Sequence, residues 1–378
     1  MLSDIFDMSQ PKRREFISKL GIGTLATPAF LSGCTCGHEE KAKVNINTNE
    51  KYRWKMTTTW PPNFPILGIG CQKFADLVKQ MTGGRMEITV YGGGELIPAL
   101  EGFEAVRNGA VEMNHGVAYY WAGKVPSAPF FAAVPFGMNA TQMESWLVAG
   151  GGMELWESVY ERYNLVPLMC GNTSMQMGGW FNKEINSIKD LKGLKMRMPG
   201  FGGKVLAKSG AAALQIAGGE IYTSLERGVI DATEWIGPYH DYLMGFQNIA
   251  KYYYYPGWHE VGPVLEMIIN KEKFDALPDE FKSIVRGAAS IINTWMTAEF
   301  HLKNGIYLDK IKKESQVQIK FFPTDVLDAL KQNTAKVIAD MIKKDPVTRE
   351  VYQSFSDFQK TIKPWMESSE KVYYEKIL

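Results

Sequence analysis

The feature that most constrains this chain is a repeated alternation of short β-rich runs with stretches of helical periodicity, punctuated by glycine. Tyr52–Thr59 alternates in polarity and reads as a strand. Trp60-Pro-Pro-Asn-Phe-Pro65 must be a loop, because its prolines remove donors and disfavour helix. Apolar residues at helical spacing (Ile69, Phe74, Leu77, Val78, Met81) predict a helix over Leu67–Met81, stopped at Gly83-Gly84. A strand over Met86–Tyr91, a helix over Leu96–Asn108 and a strand around Val111–Val117 continue the pattern. The second half repeats it. Strands are expected at Leu165–Cys170, Gly179–Asn182, Leu194–Met198, Leu214–Ile216, Val264–Ile269 and Val317–Phe322, with helices at Gly203–Gly210 and Glu220–Gly228. Such an order predicts βαβ units and a mainly parallel sheet. Pro278–Lys313 keeps helical periodicity for about 36 residues, roughly 54 Å, a length suited to spanning two lobes. Phe103-Glu-Ala-Val106-Arg-Asn-Gly109-Ala-Val111-Glu112 is echoed by Tyr222-Thr-Ser-Leu225-Glu-Arg-Gly228-Val-Ile230-Asp231, consistent with two lobes of similar design.

Charge narrows the function classes. Lys plus Arg total 42 against 41 Asp plus Glu, a net charge of +1. The segment before Cys34 holds four of the basic and three of the acidic groups, so the remainder is neutral. No global field exists to hold nucleic acid or an anionic membrane. Four cysteines in 378 residues exclude a disulfide scaffold. No run reaches the roughly 20 apolar residues of a spanning helix.

The N-terminus reads as an address. Lys12-Arg13-Arg14 precedes a mildly apolar run from Leu20 to Phe30, which favours twin-arginine export. Leu31-Ser32-Gly33-Cys34 resembles a bacterial lipobox, making Cys34 a lipidation site; residues 1–34 are then signal and 35–50 a polar tether. Cys36 beside Cys34 is too little for a metal site.

The body lacks a phosphate loop, a dinucleotide fingerprint and a zinc-protease motif. Its five histidines are scattered and read as surface or satisfied core residues; Cys71 and Cys170 lie in apolar runs and read as buried hydrophobes. No nucleophile is paired with a base, so the chain does not read as an enzyme. Arg197, by contrast, interrupts an apolar strand just before Pro199-Gly200. An arginine on a strand end suits a bidentate grip on a carboxylate, or an ion pair with a neighbouring acid.

Two segments then carry a resemblance. Ile188-Lys-Asp-Leu-Lys-Gly-Leu-Lys-Met-Arg197-Met-Pro and Glu220-Ile-Tyr-Thr-Ser-Leu-Glu-Arg-Gly-Val-Ile-Asp231-Ala lie in one order over more than forty residues. Over about Lys51 to Tyr307 the chain resembles the solute-binding proteins of tripartite ATP-independent periplasmic (TRAP) transporters. Thr58–Pro65, Glu234-Trp235 and Tyr252–Glu260 are similar to the branch that binds 2-oxo and 2-hydroxy monocarboxylates with a metal ion. The resemblance implies an α/β, two-lobed periplasmic-binding-protein-like fold with a cleft between lobes and a long lobe-spanning helix. On that plan residues 51–172 form lobe I with a return strand near 262–270, and 173–261 form lobe II. Residues 278–315 form the connecting helix, 316–345 a returning strand and helix, and 346–378 C-terminal helices.

It further implies capture of a small carboxylate, pyruvate or a related 2-oxo acid ahead of lactate, for delivery to ion-gradient-driven permease subunits. The substrate-gripping arginine falls on Arg197. The metal set falls on Gln176, Glu234, Trp235 through its carbonyl, and Glu260. Trp60, Trp235 and either Tyr119 or Tyr120 border the ligand. The branch often has proline after the last glutamate, where this chain has Val261. Charge counting fits a cation: a substrate carboxylate and Arg197 cancel, leaving two glutamates whose repulsion at 4 Å costs about 4 kcal/mol at an effective dielectric of 20. Oxygen donors suit Na+ or Ca2+, and the absence of His or Cys from this set disfavours zinc. In the last segment, Val351, Tyr352, Phe355 and Phe358 lie on one spiral that Pro364 should break. Related binders of this branch dimerise by exchanging such a helix, which makes 346–378 a candidate homodimer element. The competing reading is an exported cofactor-containing enzyme acting on a small organic acid.

Overall fold

The computed structural model describes residues 50–378. The expected export signal, Cys34 and nearly all of the expected tether lie outside the described residues. Eleven strands occur among them: β1 (Tyr52–Thr58), β2 (Met86–Tyr91), β3 (Met113–Gly116), β4 (Leu165–Asn172), β5 (Gly179–Phe181), β6 (Lys195–Arg197), β7 (Ala212–Leu214), β8 (Ala232–Thr233), β9 (Tyr252–Tyr255), β10 (Val264–Asn270) and β11 (Gln318–Phe321). They form two sheets, ordered β2-β1-β3-β10-β4 and β11-β9-β5-β8-β6-β7. Each sheet is the centre of a lobe. β10 returns to the first sheet after the chain has built most of the second.

The sheets are mixed, which corrects the expectation of a mainly parallel one. β1–β2, β1–β3, β6–β7, β6–β8 and β9–β11 are parallel. β10 runs antiparallel to β3 and β4, and β5 antiparallel to β8 and β9. β4, β5 and β10 are buried along their length, and a fully apolar run carries no information on direction.

Local predictions fared unevenly. The helix Leu67–Met81 has the expected bounds. The helix expected over Leu96–Asn108 is only Gly102–Arg107, because Pro98 cuts the run. The internal echo is structural: Phe103, Val106 and Leu225 are buried, and Gly109 and Gly228 both end their helices at positive φ, 72° and 70°. Helix Asp279–Glu314 runs 36 residues. It packs on β4 and helix Leu67–Met81 at one end and on helix Pro238–Leu243 at the other, so it tests the packing of both lobes.

Helix Pro346–Ser368 crosses back from helix Thr324–Lys344 to the first lobe, where Phe355 meets Phe130 and Trp146. It continues through Pro364, contrary to the break expected there. The proline removes one hydrogen bond, and the Lys360 carbonyl it would have served lies on an exposed residue that water can satisfy. The final helix, Glu370–Lys376, buries none of its residues.

Candidate functional site

The strand ends converge. Trp60 follows β1, Tyr119 and Tyr120 follow β3, Gln176 follows β4, Arg197 ends β6, Glu234 and Trp235 follow β8, and Glu260 follows β9. All are carboxyl ends, where open α/β sheets place their ligands. Trp60, Tyr119, Tyr120, Gln176, Arg197, Trp235 and Glu260 line one hollow of about 10 Å³ between the sheets, together with Thr173, and Glu234 reaches it through Arg197. That is the room of about one water. A separate groove of about 640 Å³, lined by Met177, Pro238, Tyr255 and Leu308, offers only Lys312 as a charge.

Arg197 is 1% exposed, and every arm of its guanidinium is engaged. Nε donates to the Ile216 carbonyl at 3.2 Å and Nη2 to the Tyr120 hydroxyl at 3.5 Å. Nη1 donates to the Glu234 carbonyl at 3.3 Å and to the Glu234 carboxylate. The guanidinium also lies 5.2 Å from the centre of the Trp235 ring. A buried arginine needs such a counter-charge. Neighbouring carboxylates hold it firmly protonated, against desolvation. The ion-pair reading of Arg197 is met by Glu234, and the same side chain lines the hollow.

Gln176 stands between the two glutamate-bearing loops. Its backbone N–H donates to the Glu260 carbonyl at 3.2 Å, and the next N–H, of Met177, to Ile236 at 3.1 Å. Gly257 makes this approach feasible, since a Cβ there would come within 2.2 Å of the Gln176 carbonyl oxygen. The Gln176 amide donates to Glu260 at 2.8 Å and to Thr173 at 3.0 Å, while its own oxygen is buried without a partner. Burial, then the nearby Glu234 charge, push the Glu260 carboxyl well above the usual range. Tyr119 and Tyr120 both line the hollow, and Tyr120 accepts from Arg197.

Supporting residues escaped the sequence reading. Trp60 Nε1–H donates to His115 Nδ1 at 2.8 Å, and His115 Nε2 bonds the Cys170 carbonyl at 3.0 Å. Burial depresses the His115 pKa to about 4 and keeps the ring neutral, as this acceptor role requires. Asp241 fixes the turn after Trp235: its carboxylate accepts from the Ile236 and Gly237 N–H groups, each at 3.1 Å, and from Trp180 and Tyr253. Across the cleft, His240 bonds the Pro65 carbonyl at 2.7 Å. His259 is 1% exposed with its Nε2 3.4 Å from Glu234 Oε2. Isolated histidines and an aspartate carry no periodic signal; only adjacency to Glu260 could have flagged His259.

Comparison with known proteins now places this geometry. Residues 56–345 match the family described as bacterial extracellular solute-binding protein, family 7. The chain belongs to that family, the solute receptors of TRAP transporters. It is 38% identical over 362 residues, 96% of its length and 98% of the relative's, to the monocarboxylate 2-oxoacid-binding periplasmic protein of Nostoc sp. (strain PCC 7120). Its fold is similar to a TRAP periplasmic solute-binding protein of Colwellia psychrerythraea with bound calcium and pyruvate, at TM-score 0.85 and 42% identity, covering 87% of this chain and 100% of that one. A TRAP periplasmic solute-binding protein of Pseudoalteromonas atlantica T6c with bound sodium and pyruvate gives TM-score 0.85 at 40% identity, with the same coverage. The two-lobed fold follows, and the family works in the periplasm. Among the described residues no helix is long and apolar enough to cross a membrane.

The residues of this family 7 receptor fit a cation on their own chemistry. One ligand atom each from Glu234, His259 and Glu260 lies within 4.8 Å of the others, all three buried. The Gln176 oxygen adds an unpartnered acceptor beside them. Buried acceptors without donors are costly unless something positive meets them.

Proposed function

We propose that this receptor captures a 2-oxo monocarboxylate such as pyruvate, or lactate, with Na+ or Ca2+, and delivers it to the permease subunits of a TRAP transporter. One observation carries the reading. A fully buried guanidinium, ion-paired to Glu234, lines a small hollow with Gln176, whose amide oxygen is unpartnered, and with Glu260, whose anionic form is strongly disfavoured. In this reading Arg197 grips the substrate carboxylate, and Glu234 gives up its place on the Arg197 fork to that anion. Gln176, Glu234, Glu260 and the Trp235 carbonyl would hold the cation, which supplies the positive charge that lets two glutamates and an anion share a closed cleft. Tyr119, Tyr120, Trp60 and Trp235 wall the ligand in. With room for about one water, the hollow as it stands is too small for an oxo acid, so admission requires the lobes to part.

The protein binds and releases its solute unchanged; pyruvate incubated with it should be recovered intact. Native mass spectrometry of protein purified without chelator tests the whole reading. A mass increment equal to a small oxo acid plus calcium or sodium is expected, and a protein that binds neither pyruvate nor lactate by calorimetry in either cation refutes it.

Two further proposals concern placement. Twin-arginine export with a lipid on Cys34 predicts membrane-associated protein that Cys34→Ala releases to the soluble periplasm. Homodimerisation through residues 346–378 is supported by exposed Trp365, Tyr374, Ile377 and Leu378 at the end of the chain. Sedimentation of the full-length chain at only the 42.5 kDa monomer, or of the processed chain at only its own monomer mass, would refute the dimer.

A further inference from the structure

Away from the cation cluster, His240 joins the two lobes. It lies on helix Pro238–Leu243 of the second lobe, and its Nε2 donates at 2.7 Å to the Pro65 carbonyl. Pro65 belongs to the first-lobe loop between β1 and helix Leu67–Met81. That loop carries Trp60, which lines the hollow, and Phe64, which meets the Trp235 ring edge-on at 6.0 Å and the His240 ring at 4.8 Å. Both anchors are firm. The Tyr239 N–H donates to Asn304 on the long helix at 3.1 Å, and the Pro65 carbonyl also accepts from the Leu67 N–H at 2.6 Å. Ile66, a β-branched residue, is held at φ 58°, a conformation that persists only where its surroundings enforce it.

The ring fits there only when neutral. It is fully buried, and Nδ1 has no partner. A charged imidazole would put a second N–H on that nitrogen, with nothing to accept it. Phe64, Phe300 at 5.0 Å and Tyr239 at 5.2 Å pack on the ring and bring no carboxylate to it. The other titratable groups beside it on these elements are engaged elsewhere. The Asp241 carboxylate accepts four donors, Glu299 and Lys303 lie by Tyr239, and His301 bonds the Ser174 hydroxyl. Burial, outweighing the Pro65 bond, depresses the His240 pKa to about 3. Once the lobes part, water reaches the ring and the ordinary value of about 6.5 returns.

We propose that His240 is a positioning residue for ligand capture. In the shut cleft its neutral ring ties the loop of Trp60 and Phe64 to the second lobe, and in the parted state its protonation opposes closure, so acid weakens binding. His240 takes this role on the reading that the lobes part to admit a small carboxylate. The sign follows from linkage: below about pH 6.5 the parted form holds a proton that must leave before the lobes can shut.

Calorimetry of pyruvate binding by the full chain in saturating Ca2+ tests this. Between pH 7.5 and 5.0 the affinity of the wild type should fall about 30-fold further than that of His240→Gln, which keeps a donor and cannot be charged. The cleft carboxylates titrate in both proteins, so the difference reports the ring. At pH 7.5 His240→Phe, which cannot donate, should bind pyruvate about tenfold more weakly than the wild type, and His240→Gln should recover part of that loss. Nuclear magnetic resonance of the wild type provides a check that needs no change of affinity. The histidine signal missing from His240→Gln should titrate near pH 6.5 without ligand and cease to titrate there with pyruvate and Ca2+ bound. Parallel pH profiles of wild type and His240→Gln, wild-type affinity in His240→Phe, or a His240 ring that does not titrate in the ligand-free protein each overturn the proposal. In those outcomes pyruvate still binds and the capture reading stands. A wild type that binds no pyruvate at either pH would remove both.

Discussion

Two buried acidic clusters, one in each setting, teach what separates architecture from a site. In the first lobe Glu266, fully buried, accepts from Trp121 and from Tyr160 at 3.0 Å. In the second, Asp241 accepts four donors. Neither carboxylate has an unpaired oxygen, and each knits strands and helices of its own lobe. Between the lobes the account is different. Glu234 is bound to Arg197, but the Gln176 oxygen and both His259 nitrogens are unpaired. Saturated polar clusters hold a fold; a cluster left incomplete at this cost is kept for something that arrives later.

The contrast is breakable. The largest effect should come from Arg197→Ala, which leaves the substrate charge without its partner. Affinity for pyruvate should fall by about 3 kcal/mol or more, and an unchanged calorimetric affinity would remove Arg197 from the site. Asp241→Ala should instead act on stability, losing about 2–3 kcal/mol in urea unfolding because four donors lose their acceptor. A stability loss below half of that would mean the cluster is not structural. Glu234→Gln should make pyruvate binding less dependent on added cation, by about tenfold in cation affinity; unaltered sensitivity to chelator would contradict its role.

The smallest effect at neutral pH belongs to Glu266→Gln. Burial raises the Glu266 pKa to about 8, outweighing its two donors. The folded state therefore holds a proton that the unfolded chain has released, and wild-type stability should fall as pH rises from about 5 toward 8. Near pH 7 the neutral carboxyl and the amide are nearly equivalent, so the substitution should change stability by under about 1 kcal/mol while flattening the slope. A slope that survives in Glu266→Gln would assign it to other groups.

Helix and strand segments were legible where periodicity is local. Helix Leu67–Met81 and strand Met86–Tyr91 have the bounds that the spacing predicts. Direction was not legible: β10 and β5 are short buried runs, and only their neighbours make them antiparallel. Pro364 was misjudged because the cost of a proline depends on whether water can reach the carbonyl it strands.

For the site, the sequence determined which chemistry is available: an arginine at a strand end, glutamates beside an indole, a glutamine and tyrosines, within a chain of neutral charge. Their family resemblance named them as a group. Tertiary structure decided what each meets. Arg197 faces Glu234 across 37 positions, Gln176 faces Glu260 across 84, and Trp60 rests on His115 across 55. Such contacts depend on sheet order, which local hydropathy does not encode. His259 illustrates the limit best. A lone histidine has no pattern of its own, and only the folding of one loop against another sets its nitrogens among carboxylates, because chemistry at a site is fixed by distance in space rather than along the chain.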